Sequence, residues 1–135
     1  MAELPVVQLN AILADVWSLV RLMRKLGTKV EHPGAQEALK RVRMDCSAHC
    51  ATLSGIIRSL GAGPVDQPGS LAKQVEAIEE EPQLWSLLDN SCNDIDRRIP
   101  NILPSFETDA HRDALTAIQQ NLQENRLWLK RVAGG

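Results

Sequence analysis

Two thiols, an imidazole and a carboxylate fall within six consecutive residues, Asp45-Cys46-Ser47-Ala48-His49-Cys50. Thiolate and imidazole together select zinc or Cu(I), and a thiol beside an imidazole is also the pairing from which cysteine nucleophiles are made. Residues three and four apart are neighbours on a helix, so Cys46, His49 and Cys50 share one helical face. The positions Leu39, Val42, Cys46, His49, Leu53, Ile56 and Leu60 step by three or four, the rhythm of a helix turned toward a core. The cluster therefore points inward from the middle of a long helix. Cys92 lies on a second apolar stripe, with Asp89 one turn before it. If adjacent antiparallel helices set Cys92 opposite Cys46, then Cys46, His49 and Cys92, joined by Cys50 or Asp89, form a site for one zinc, copper or iron ion.

The same residues have a structural reading. Free cysteine packs as a small hydrophobe, and an inward histidine is satisfied by a hydrogen bond from a neighbouring helix, for which Asn125 is the expected partner. On that reading no cofactor is bound. Nucleophilic catalysis has no support, because a core-facing thiol in mid-helix has neither a helix N-terminus nor an assured cation to lower its pKa. The order Cys-x-x-His-Cys also differs from the Cys-x-x-Cys-His of covalent haem attachment.

Composition limits what can hold this cluster. A chain of 135 residues suits a single domain with one core, residues 1–135. Met1–Asn10 carries no basic leader segment, and no apolar run approaches the roughly 20 residues that span a bilayer, so a cytoplasmic protein off the membrane is expected. An odd count of three cysteines suits reduced thiols. Net charge is −2, with eight Lys or Arg against five Asp or Glu up to Gly61 and seven against twelve beyond it. The basic cluster Arg21, Arg24, Lys25 and Lys29 has no interleaved aromatics and suits a helix C-terminus, so nucleic acid is not an expected partner.

The breakers divide the chain into elements. A first helix is expected from about Pro5 to Leu26, closed by Gly27; His32-Pro33-Gly34 is a turn. A second helix follows from Ala35 to Leu60, and Val65–Gly69 is a Pro/Gly loop. Ser70 caps a short helix reaching the acidic run Glu79-Glu80-Glu81, itself a solvated face, and Pro82 ends or kinks that helix. A third long helix carries Trp85, Leu88, Cys92, Ile95, Ile99 and Ile102, with Pro100 near its end. After a turn at Pro104-Ser105-Phe106, a last helix starts near Thr108 and Asp109 and carries Leu115, Ile118, Leu122, Asn125, Leu129 and Val132. With no alternating pattern, the expectation is an all-α, antiparallel up-down four-helix bundle with a short extra helix before the third long one. Trp17, Trp85 and Trp128 are its large anchors.

The runs Leu9-Asn10-Ala11-Ile12-Leu13, Arg41 to Leu53, Leu87-Leu88-Asp89-Asn90 and Arg112-Asp113-Ala114-Leu115 resemble an uncharacterised bacterial family of the ferritin-like superfamily, a domain of unknown function. The resemblance covers nearly the whole chain. It implies a ferritin-like bundle, whose metal-binding members use a Glu on two helices and a Glu-x-x-His on the other two. Carried over, the Glu-x-x-His position falls on Cys46-Ser47-Ala48-His49, and the first ligand Glu on Val16, with Asp15 on a different face. The fourth helix offers Gln119, Gln120, Leu122 and Gln123 without a histidine, His111 lies too near its start, and the third has Asp89, Asp94 and Asp96. The resemblance thus implies a bundle that has lost its di-iron ligands and works as a non-enzymatic binding or interaction protein. Related bundles pair through their first two helices, so a homodimer is expected with Trp17 at the seam.

Overall fold

The computed structural model describes residues 3–67 and 69–134, and these are all-helical: five α-helices and, among the described residues, no strand. Helix α1 spans Glu3–Gly27, α2 Pro33–Ser59, α3 Leu71–Ala77, α4 Glu81–Ile102 and α5 Asp109–Gly134, with a 3-10 turn at Leu103–Ser105 between the last two. Met1, Ala2 and Pro68 of the expected leader-free start and loop lie outside the described residues.

Local chemistry sets the ends. His32 caps α2, its Nδ1 accepting from the Gly34 amide at 3.0 Å, with Pro33 in the first turn where a missing N–H costs nothing. Gly61 closes α2 at φ 83°; its amide reaches the Arg58 carbonyl at 2.9 Å and that of Ala62 reaches Ile57 at 3.2 Å, the paired bonds of a Schellman cap. Thr108 caps α5, its hydroxyl accepting from the His111 amide at 3.4 Å.

Two boundaries depart from expectation. Helix α3 stops at Ala77, before the acidic run, and Ser70 makes no capping bond. Pro82 does not end α3; it lies in the first turn of α4, where proline is equally at home. Glu80 becomes the residue preceding α4, and Glu81 accepts from the Trp85 indole at 3.2 Å.

Pro100 lies inside α4 without ending it. Proline cannot donate to the carbonyl four residues back, which leaves the Asp96 carbonyl open. Gln119 of α5 donates its amide there at 3.3 Å, and Gln123 donates to the Asp96 carboxylate at 2.8 Å.

Side-by-side packing runs α1 on α2, α2 on α5, α5 on α4 and α4 on α1. Paired residues fix direction: on α2 and α5, Asp45 meets Asn125 while Ser59 meets His111, and on α4 and α5, Asp89 meets Arg126 while Asp96 meets Gln119. Rising numbers on one helix meet falling numbers on the other, so both pairs are antiparallel. The interior is aliphatic, with Leu9, Leu13, Val16, Leu19, Leu53, Ile57, Leu84, Ile99 and Leu115 without accessible surface. Trp17, Trp85 and Trp128 pack half-buried against that interior rather than at its centre.

Helix α1 has a third neighbour, α3. The Gly69 amide bonds the Ala14 carbonyl at 3.2 Å, Asn10 brackets the preceding loop through Gly63 and Val65, and Lys25 caps the C-terminus of α3 through the Val75 carbonyl at 2.7 Å. The sequence expectation that no stretch is apolar enough to span a membrane is corrected here: Pro5–Gly27 passes that test by length and composition, with mean hydropathy 1.4. Packing accounts for it, since a helix covered on three sides must be apolar nearly all round; even Ser18 is fully buried, bonded to the Ala14 carbonyl at 3.0 Å. The expected basic cluster is also divided, because Lys25 and Lys29 turn to Glu79 at 3.2 and 3.5 Å while Arg21 and Arg24 do not.

Candidate functional site

Between α2 and α5 four polar side chains form one network. Asn121 and Asn125 each direct an amide nitrogen at the same Asp45 oxygen, at 3.3 and 3.0 Å. Asn125 also donates to Asn121 Oδ1 at 3.0 Å, and His49 Nε2 lies 2.7 Å from that same oxygen. The expected partner of His49, Asn125, is therefore displaced by one helical turn to Asn121, and Asn125 instead supports the pair.

A carboxylate only accepts, so both amide nitrogens must face Asp45, which aims Asn121 Oδ1 at the imidazole. An oxygen acceptor requires a proton on His49 Nε2. That nitrogen has no lone pair for a metal in this arrangement.

The three thiols are free and buried, at 1% exposure for Cys46, 2% for Cys50 and 3% for Cys92. Burial pushes the Cys50 and Cys92 thiols up to about 12, Cys92 aided by the Asp89 charge and opposed by Arg126. Cys46 is driven well above its ordinary value by burial first, then by Cys92, Cys50 and Asp45. All three are neutral thiols at physiological pH, and a thiol is neither nucleophile nor metal ligand until it ionises. Cys46 and Cys92 do look into the same interior. They do not come from adjacent helices, the arrangement that would set Cys92 opposite Cys46, because α2 and α4 each pack mainly on α1 and α5.

Asp89 lies near Cys92 but is already paired. Arg126 holds it through two bonds, at 2.7 and 3.3 Å, and also reaches Asn93 at 3.2 Å. That hydrogen-bonded guanidinium holds the Asp89 carboxyl below the usual range. Cys92 and this pair border a cavity of about 40 Å³ with Trp85, Leu88 and Leu129, too small for a metabolite. Among the described residues, no three His, Cys, Asp or Glu side chains are arranged to hold a metal ion. A di-iron donor set does not fit either: Val16 is fully buried hydrocarbon, Asp15 pairs with Arg98 of α4, and Gln119 and Gln123 are engaged with Asp96.

The sequence reading missed one pair able to suggest catalysis. Ser59 Oγ lies 3.0 Å from His111 Nε2 beside a cleft of about 350 Å³ that also includes Glu107 and Thr108. The Ser59 hydroxyl donates to the Ile56 carbonyl at 2.6 Å. His111 Nε2 is therefore the donor in the pair, the opposite of what a general base requires. Its ring also meets Phe106 edge-on, with centroids 6.0 Å apart, so this contact ties α2 to the start of α5. Only a prediction of helix register could have found it.

These features define an all-helical protein whose polar seam is satisfied internally and whose thiols are protonated and covered. Residues 5–130 match the family described as a domain of unknown function (DUF6306), and the chain belongs to that family. No curated protein and no solved structure matches the chain.

Proposed function

We propose that this protein is a ferritin-like, up-down four-helix bundle emptied of its di-iron ligands, and that it works by binding rather than by catalysis. One observation carries the reading: every chemically capable side chain of the interior is already engaged or neutral. His49 gives its Nε2 proton to Asn121, and Cys46, Cys50 and Cys92 are held as thiols. The ring of contacts among α1, α2, α5 and α4, with antiparallel α2–α5 and α4–α5 pairs, supports the bundle topology.

Helix α3 occupies the outer side of α1, so a homodimer would use α2, whose outward Met44 is 58% exposed. Sedimentation should then give twice the 14.9 kDa chain mass, and Met44→Glu should return the monomer. A parent of 14.9 kDa across the concentration range would remove the dimer.

The test of the main reading joins elemental analysis of the purified protein to a thermal-shift screen with small molecules. Absence of stoichiometric metal, with a ligand that raises Tm, is the expected result, because a ligand preferring the native state stabilises it. Equimolar zinc, copper or iron, lost in both Cys46→Ser and His49→Ala, would instead establish the metalloprotein alternative.

A further inference from the structure

Where α1 ends and α2 begins, a cleft of about 310 Å³ opens between the two helices. Its charged lining is Arg24 from α1 and Lys40 and Arg43 from α2, and none of its lining residues is acidic. Among the described residues these three cations have no carboxylate partner, whereas Lys25 and Lys29, beside Arg24 in sequence, are paired with Glu79 on the other side of α1. Three like charges around one opening repel each other and favour an anion between them. In a chain of net charge −2, this concentration of positive charge is local to the cleft.

Two polar neighbours narrow the ligand. Gln36 donates its amide nitrogen to the Val30 carbonyl at 2.7 Å, which fixes the side chain and leaves its carbonyl oxygen as an unengaged acceptor. The Thr28 hydroxyl donates to the Lys25 carbonyl at 2.6 Å, leaving its lone pairs. Both therefore offer acceptors suited to hydroxyl groups. Two arginine forks match the oxygens of a phosphate in a way a lysine does not. No aromatic ring lines the cleft on which a base could stack, and Glu31 and Glu37 stand exposed beside the start of α2, where they oppose an extended polyanion. The volume falls at the lower end for small-molecule sites.

We infer that the Arg24–Lys40–Arg43 cleft binds a small, non-aromatic phosphate monoester of a polyol, the phosphate between the cations and the hydroxyls at Gln36 and Thr28. This rests on the reading of the chain as a binding protein and names its ligand class.

Glycerol 3-phosphate serves as probe in isothermal titration of the full chain at low salt, with glycerol and inorganic phosphate as controls. Saturable binding is expected for the phosphate ester and, more weakly, for phosphate alone, but not for glycerol. Arg43→Gln and Lys40→Gln should each weaken it about tenfold, the scale of one lost hydrogen bond to a charged group. Gly27 lines the cleft, and a Cβ there meets nothing within 4 Å. Gly27→Leu should therefore block the cleft with all three cations intact and the helical circular dichroism unchanged. No binding at millimolar probe by the folded parent, or binding untouched by all three variants, would overturn the site while leaving the binding-protein reading standing. Binding of a single-stranded oligonucleotide without the phosphate ester would overturn it too. Release of inorganic phosphate, abolished in Arg43→Gln, would keep the site and overturn the non-catalytic reading.

Discussion

Asn121 Oδ1 accepts two hydrogen bonds across one seam, from His49 of α2 at 2.7 Å and from Asn125 of its own helix at 3.0 Å. Its orientation is set by Asp45, the acceptor for both asparagine amides through a single carboxylate oxygen. Asp45 thereby fixes, through Asn121, which imidazole nitrogen of His49 carries the proton.

Replacing Asp45 tests that chain of dependence. Asp45→Asn keeps an amide oxygen where the shared carboxylate oxygen stood, so it should cost less than about 1 kcal/mol, the loss of charge assistance alone. Asp45→Ala removes the acceptor of one N–H on half-buried Asn121 and one on buried Asn125 and should cost roughly 1–3 kcal/mol. Urea denaturation of the two variants checks the difference; equal costs would mean the seam does not depend on that oxygen.

Gln119 matters only because Pro100 leaves the Asp96 carbonyl without its helical donor. Gln119→Ala should cost about 1 kcal/mol in the parent. In Pro100→Ala the backbone N–H returns to that carbonyl, and the same replacement should cost clearly less. A double-mutant cycle measures this coupling, and additive effects would separate the two residues.

The thiols make the protein sensitive to alkali. Cys50 and Cys92 rise from 9.0 to about 12 in the fold, so between those values the native state holds protons that the unfolded chain has released. Stability is full below about pH 9 and falls as pH rises toward 12, each thiol contributing a slope of about 1.4 kcal/mol per pH unit. Cys92→Ala and Cys50→Ala should each flatten that slope in urea titrations across the window, whatever they cost in packing. In the native protein a thiol reagent should react slowly, and with three equivalents only after unfolding.

The Asp89–Arg126 pair acts at the other end of the scale. Because Arg126 lowers the Asp89 carboxyl, the pair stabilises the fold above the ordinary carboxylate value near 4 and the effect is lost as pH falls through the lower folded value. Its partial exposure keeps the contribution within the range of about 0.2–1 kcal/mol. Arg126→Met should remove it at neutral pH and make steadily less difference as acid protonates Asp89; a cost that does not shrink in acid would assign the loss to packing instead.

The sequence made the inward faces legible and left the arrangement of the helices open. Periodicity placed Cys46, Cys92, Leu53 and Leu115 in the interior, where they are, because a 3.6-residue repeat reports the buried side of a helix directly. It carries no information on which helices are neighbours, so the adjacency that a Cys46–Cys92 site requires stays open in the sequence; the two thiols come from α2 and α4, which pack mainly on α1 and α5. Axial register is equally silent: Asn121 and Asn125 are one turn apart, and only the packed seam decides which of them meets His49. Pro82 misled because proline is compatible with the end of one helix and the start of the next. Of the basic run only Arg24 belongs to the proposed cleft; Lys25 and Lys29 turn to Glu79, and Arg24 meets Lys40 and Arg43 only once α2 folds back on α1.

The three-sided cover of α1 has a consequence during synthesis. Helix α1 is complete at Gly27, yet the α4 surface that closes over it ends at Ile102, 75 residues later in the chain. At about 5–20 residues per second a ribosome needs roughly 4–15 s to supply it. Throughout that interval the most apolar segment of the chain has at best α2 and α3 beside it, which makes the nascent N-terminal half, rather than the finished protein, the form in need of a chaperone.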